Sequence, residues 1–170
     1  MGKDRPYDAA RTYGICVRQP MAWAISAGHR LVDNRSWRPP RAAVGRNVAV
    51  LAASTVLHGQ DRVLVDRYGL RPPPVARMPR GAVVAVVRLD GLWRVAAGGA
   101  LEVDLTPDGD DCPPALDELT QRRWAVGPYC WAFSDLRVVD PPVPCLGTFN
   151  LFALPPSVAR SVASASKKRS

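Results

Sequence analysis

Histidine and lysine are nearly missing from this chain: two His and three Lys in 170 residues. The histidines, His29 and His58, stand far apart, and none of Cys16, Cys112, Cys130 and Cys145 sits in a CxxC pair. A zinc site needs paired ligands at short spacing, so neither a metal nor a cofactor is expected. The cysteines read instead as free thiols, buried in a reducing cytosol. No apolar run is long enough to span a bilayer, which excludes a membrane helix. The first residues are polar and charged, unlike a secretory leader. Pro6 stands where a myristoylation signal places Ser or Thr. Internal repeats and heptads are also absent, which excludes solenoids and coiled coils. The expectation is a soluble, cytoplasmic protein with no membrane partner.

What remains is sufficient for one folded domain. Apolar residues make up 47% and charged residues 22% of the chain, a composition that supports a core. Seventeen prolines favour strands and loops over long helices. The net charge is +8 and its distribution is uneven. Residues 1 to 94 hold 15 Arg and one Lys against six Asp, whereas residues 95 to 166 hold four Arg against nine acidic residues. GC-rich coding explains Arg outnumbering Lys 20 to 3, but not this segregation of sign. A basic surface seeks a polyanion, most often nucleic acid.

Along the chain, residues 1–12 read as a flexible segment. Tyr13 to Val17 reads as a short buried strand. Gln19-Pro20 starts a helix that stops at Gly28, and Leu31 to Arg35 forms a strand. Alternation along that strand places Asp33 and Arg35 side by side on one face. Arg38-Pro39-Pro40-Arg41 is a stiff basic loop. Asn47 to Ala52 is apolar throughout and should be a central strand, with Ser54 capping a helix that runs to about Tyr68. Residues 71–80, with four prolines and three arginines, form an extended connector. Ala82 to Leu89 is a strong strand and 91–99 a turn-rich excursion. Residues 106–114 read as an acidic loop and Leu116 to Trp124 as a short helix. Tyr129 to Phe133 and Leu136 to Val139 are strands, followed by a proline bend at 141–144. A strand over Phe149 to Leu154, a helix over Pro156 to Ala165 and a small basic tail complete the chain. The sum is an α+β protein, a small mixed β-barrel with a few flanking helices.

One stretch concentrates polar chemistry. Gln19-Pro20-Met21-Ala22-Trp23 is followed by Gly28-His29-Arg30-Leu31-Val32-Asp33-Asn34-Arg35, then Ser36-Trp37. In order and spacing these segments resemble the ASCH domain, a branch of the PUA-like superfamily. That family shows a Gln-Pro-(aromatic)-Ala opening and a Gly-x-Lys-x-x-Glu-x-Arg signature followed by an aromatic. Residues 41–54, 79–89 and 142–154 resemble its later segments, so the likeness covers about 13–156, leaving 157–170 as helix end and basic tail. The resemblance implies a PUA-like pseudobarrel with a cleft beside the first helix, used for RNA, DNA or a modified nucleobase. Some relatives are enzymes, among them an amidohydrolase acting on acetylated cytidine and ribonuclease-like members, in which the signature Lys does the chemistry.

Here that Lys is Arg30 and the signature Glu is Asp33. A buried lysine can give up its proton and act as a base; a guanidinium cannot. It keeps the charge and adds a planar fork suited to phosphate or a base edge. Both changes move the site from catalysis toward binding, and no catalytic residue is assigned. The expected binding residues are Gln19, Arg30, Asp33, Arg35, Trp37, Arg38, Arg41 and Ser54. Gln19 either reads a base edge or only sets the helix start. Asp33 with Arg35 either contacts ligand or shapes the pocket. Trp37, crowded by arginines, is the stacking candidate. Ser54 either faces the cleft or caps a helix. The expected partner is RNA or DNA, single-stranded or as a modified nucleotide. The alternative is a hydrolase acting on a modified nucleoside such as N4-acetylcytidine, or a ribonuclease.

Overall fold

The apolar run of β3 (Asn47–Val56) alternates between two packed faces, which makes it the centre of the fold. Val48, Val50 and Ala52 point into one core with Ile15, Val87, Leu89 and Trp131. Ala49 and Leu51 point the other way, toward Val83, Val86 and the helix residues Ala159 and Val162. A strand buried on both faces has no room for alternating polar residues. The structure is a computed structural model that describes residues 12–107 and 121–168. The remaining elements, in chain order around β3, are β1 (Tyr13–Gln19), α1 (Met21–Ser26), β2 (Val32–Arg35), α2 (Gln60–Tyr68), β4 (Ala82–Val95), β5 (Leu101–Leu105), β6 (Tyr129–Pro144), β7 (Leu151–Ala153), α3 (Pro156–Ala165) and β8 (Ser166–Lys168). A 3₁₀ turn covers Arg122–Trp124.

All eight strands join one mixed sheet, in the order β2-β6-β4-β3-β1-β7, with β5 on β4 and β8 on β6. β1 and β3 run parallel. The long strands β4 and β6 pair along their lengths with several register shifts, which bend the sheet into a half-barrel. The half-barrel stays open along a seam. β2 ends the strand path on one side. On the other, β7 pairs with β1 only over Tyr13–Ile15, so it leaves Cys16 to Arg18 uncovered. A side chain, not a ladder, spans the opening: Arg35 of β2 donates from Nη2 to the Cys16 carbonyl of β1 at 2.8 Å.

α2 is held by one fully buried residue, Leu64, which packs with Val32, Trp124 and Cys130. Gly69, in the left-handed conformation at φ 66°, ends the helix.

Several local expectations are corrected. Ser54 caps nothing: β3 continues to Val56 with Ser54 exposed, and α2 begins at Gln60 after Gly59. Residues 91–99 are less irregular than expected, because β4 runs on to Val95 and returns as β5. The two expected strands and proline bend over 129–144 are a single strand. Pro141 and Pro142 are absorbed by a bulge, since Val83 pairs with Val143 and Ala85 with Val138, while Pro144 pairs with Ala82. Residues 139–142 therefore bow away from the ladder, where proline's missing N–H is harmless. The last strand is shorter, Leu151–Ala153. The basic tail is not loose as far as Lys168, because Ser166, Lys167 and Lys168 pair with Val139, Val138 and Arg137 of β6. The flexible start (1–11), most of the acidic loop (108–114), the beginning of the expected helix (116–120) and Cys112 lie outside the described residues.

Candidate nucleic-acid interface

The open seam holds a cleft of about 390 Å³. β1 contributes Cys16, Val17 and Arg18, and β2 contributes Asp33, Asn34 and Arg35. Arg30 precedes β2, α2 supplies Gln60, Val63, Arg67 and Tyr68, and the 3₁₀ turn supplies Trp124.

The centre of the cleft is one carboxylate shared by two guanidiniums. α1 closes at a turn in which the N–H groups of His29 and Arg30 both donate to the Ala24 carbonyl. That turn folds Arg30 inward, leaving it 7% exposed. Its Nη2 lies 3.0 Å from Asp33 Oδ1. Arg35 Nε lies 2.6 Å from Asp33 Oδ2. The strand alternation expected from the sequence produces this second contact, since Asp33 and Arg35 share a face of β2. Arg30 Nε is buried and has no hydrogen-bond partner. A buried donor without an acceptor costs about 1–3 kcal/mol, so this nitrogen is the site's unfilled valence. Arg18 and Arg67 are exposed and form no ion pair among the described residues. Four arginines and one aspartate thus line the cleft, and two of the four pair with that aspartate.

An aromatic pair forms the adjoining wall. Tyr68 from the last turn of α2 stacks on Trp124, with ring centroids 3.6 Å apart and planes 9° from parallel. Trp124 is fixed by hydrogen bonds at both ends. Its Nε1 donates to the His29 carbonyl at 3.0 Å, and its own carbonyl accepts from Asn34 Nδ2 at 2.8 Å. Asn34 Oδ1 also accepts from the Val126 and Gly127 N–H groups, so one β2 side chain positions the whole turn. Guanidiniums flank the pair: Arg67 and Arg123 lie 5.5 and 5.3 Å from the Tyr68 ring centroid, and Arg30 lies 5.8 Å from that of Trp124. Such contacts combine stacking with positive charge, which suits the π-face of a base.

The cleft's thiol is poorly suited to attack. Burial pushes the Cys16 thiol above its ordinary range; the nearby Arg35 charge partly offsets this, and Cys145 adds to it. A thiol shifted upward stays protonated at neutral pH, and the thiolate is the nucleophile. Among the described residues, no group of three His, Cys, Asp or Glu could hold a metal ion. No helix there is long and apolar enough to cross a membrane.

Of the eight residues expected from the sequence, Arg30, Asp33 and Arg35 line the cleft together. The other five lie outside its lining. Gln19 is 1% exposed and structural, its Nε2 donating to the Pro79 carbonyl and its Oε1 accepting from the Trp23 N–H, both at 2.9 Å. Trp37 packs nearly perpendicular to buried Trp131, with centroids 4.8 Å apart, and so lies against the core and not in the cleft lining. Arg38 turns away to Asp104, at 2.7 Å, and lies over Tyr129. Arg41 sits exposed in a 3₁₀ turn, and Ser54 is exposed on β3. Arg18, Arg67, Tyr68 and Trp124 were not anticipated. Arg67 and Tyr68 end an amphipathic helix, and nothing local in the sequence signals that a residue more than fifty positions away will stack on Tyr68.

No family model matches the chain, and no curated protein matches it. Solved structures do. The crystal structure of ASCH from Zymomonas mobilis matches with a TM-score of 0.51 at 12% identity, covering 95% of this chain and 99% of that one. A tyrosine-to-phenylalanine mutant of the same protein matches with a TM-score of 0.50 at 13% identity, covering 92% and 99%. Identity this low speaks to fold, and the matches cover the half-barrel end to end. The chain has the fold of an ASCH domain.

Proposed function

We propose that the seam cleft binds single-stranded nucleic acid, RNA or DNA, taking a phosphate among its arginines with a base beside Tyr68 and Trp124. The observation that carries this is that Arg18, Arg30, Arg35 and Arg67 line one cleft with a single aspartate, Asp33, and that Arg18 and Arg67 are exposed and form no ion pair among the described residues. A phosphate there meets the exposed guanidiniums of Arg18 and Arg67 in the charge-assisted geometry guanidinium favours. A cleft of about 390 Å³ is the size of a small-ligand site and admits a nucleotide, not a duplex. The fold is that of ASCH, and the resemblance of the Gly28–Arg35 signature to that family implies the same use.

The test is fluorescence anisotropy with labelled single- and double-stranded RNA and DNA of equal length. Single strands should bind best. Their affinity should fall with salt by about 0.7 log units per phosphate contact for each log unit of salt. Arg67→Ala and Arg18→Ala remove exposed charges without disturbing the core, and each should weaken binding across all sequences. Affinity that ignores salt, or survives both substitutions, would overturn the proposal. Turnover of N4-acetylcytidine or of an RNA oligonucleotide, abolished by Arg30→Ala, would return the site to the hydrolase alternative.

A further inference from the structure

The loop entering β7 carries the least buried large apolar side chains of the described residues, Phe149 at 96% and Leu146 at 94% exposed. Two such side chains on one short loop form a patch that calls for a physical reason. The loop is not detached from the sheet. Cys16 Sγ donates to the Thr148 carbonyl at 3.5 Å. Gly147 lies so close that a Cβ there would run into Cys16 Sγ and Leu51 Cδ2. Cys145 N–H also donates to the Gly81 carbonyl at 3.0 Å. The backbone on either side of the patch is therefore anchored while the side chains project into water.

That anchor is a cleft residue. The Cys16 carbonyl accepts from Arg35 at 2.8 Å while its sulfur meets the Phe149 loop. A single residue thus separates the central guanidinium pair from the loop. The register agrees: Leu151 pairs with Ile15, and the chain before it runs toward the part of β1 that β7 leaves uncovered. An aromatic held in the open beside a cationic cleft is the arrangement that single-strand binders use to stack successive bases.

We propose that Phe149, flanked by Leu146, is a second stacking platform that takes the base of a neighbouring nucleotide when a single strand occupies the seam. This deepens the proposed function and rests on it. A rigid loop presenting the ring in advance lowers the ordering cost of binding. The platform would give strands tighter binding than mononucleotides, because a mononucleotide reaches only the arginine cleft.

The experiment compares wild type, Phe149→Ala, Phe149→Trp and Arg67→Ala for binding of a fluorescent octauridylate and of uridine monophosphate. Phe149 is exposed, so its substitution leaves the fold intact. Phe149→Ala should lose about 5- to 160-fold for the octamer, the range for one stacked base, with monophosphate binding unchanged. Phe149→Trp should retain octamer binding. Irradiation of a 5-iodouridine octamer on wild type should cross-link the peptide containing Phe149. Equal octamer affinity in wild type and Phe149→Ala, with no cross-link there, would overturn the platform while leaving the cleft standing. Failure of wild type to bind either ligand would instead remove the proposed function itself. A concentration-dependent dimer that Phe149→Ala makes monomeric would also overturn it, showing that the patch serves a second copy of the chain.

Discussion

Replacing Asp33 with asparagine should move stability and binding in opposite directions. The Asp33 side chain is 5% exposed, and its two oxygens face Arg30 at 3.0 Å and Arg35 at 2.6 Å. Asp33→Asn keeps the shape but removes the counter-charge from two guanidiniums that are themselves 9% and 22% exposed. Removing one partner of a buried ion pair costs about 3–5 kcal/mol. The partial exposure of Arg35 places the expected loss near the lower end, about 3 kcal/mol. With a urea m-value of about 2 kcal/mol/M for a chain of this size, the midpoint should fall by about 1.5 M. The same substitution takes the cleft lining from four arginines and one aspartate to four arginines alone, so the folded protein should bind oligonucleotide more tightly. Phosphate should also restore more stability to Asp33→Asn than to wild type, because an anion bound to the native state adds RT ln(1 + [L]/Kd). The control is Asp104→Asn, which breaks the Arg38 pair at 2.7 Å where the arginine is 56% exposed. Exposed pairs contribute about 0–1 kcal/mol. A midpoint for Asp33→Asn no lower than that of the control, or weaker binding by its folded form, would refute the reasoning.

The other expectations are simpler. Gln19→Leu should cost about 2–4 kcal/mol in urea melts, because it strands the Pro79 carbonyl and the Trp23 N–H, and it should leave oligonucleotide affinity unchanged. Trp37→Ala should likewise lower the melting temperature through its lost contact with Trp131 and leave binding alone; a large affinity loss would restore Trp37 as a stacking residue. Cys16, Cys130 and Cys145 are all pushed above the ordinary thiol value of 9.0 by burial. Folding therefore favours their protonated forms: that contribution is intact below pH 9.0 and is lost above it, where unfolded thiols ionise and folded ones resist. Melting temperature should fall over that range, and native thiols should react slowly with iodoacetamide at pH 8. Gly147→Ala should displace the 145–150 loop from Cys16, cost about 1–3 kcal/mol as an overpacked contact, and weaken octamer binding along with Phe149→Ala.

Sequence patterns exposed the parts of this fold that depend on local periodicity. The apolar run of β3 over 48–53, the helix after Gln19-Pro20, the Asp33–Arg35 adjacency and the final helix each follow from spacing along one element. The signature beginning at Gly28 also led to the fold and to the three charged residues at the centre of the cleft. What escaped depends on contacts between distant segments. Trp37 looked like a stacking surface because arginines surround it in sequence, yet Trp131 is its neighbour in space. Tyr68 and Trp124 carry no local mark of their union, which rests on Asn34 and His29 holding the turn from another part of the chain. Ser54 failed as a cap because strand pairing of β3 outweighs the local capping preference of serine.

The charge segregation seen along the sequence is partly undone by folding. The sequence puts its positive excess in the first 94 residues and its acids later. Folding mixes them again. Asp104 and Glu102 of β5 reach back to Arg38 and Arg94, and within the first half Asp90 lies beside Arg88. Asp135 and Asp140 likewise meet Arg137 and Lys167. Part of the surface charge is therefore compensated locally, whereas exposed Arg46, Arg62, Arg71, Arg77, Arg80 and Arg160 form no ion pair among the described residues. In the seam, four arginines line a cleft with one carboxylate, which Arg30 and Arg35 already occupy. Arg18 and Arg67 are left without an acidic partner among the described residues, at the mouth of a recess where low-dielectric walls focus their field. A half-barrel that failed to close would ordinarily expose unpaired strand edges to aggregation. Here Arg35 occupies part of that edge through the Cys16 carbonyl, so the residue that seals the defect in the sheet also supplies charge to the site within it.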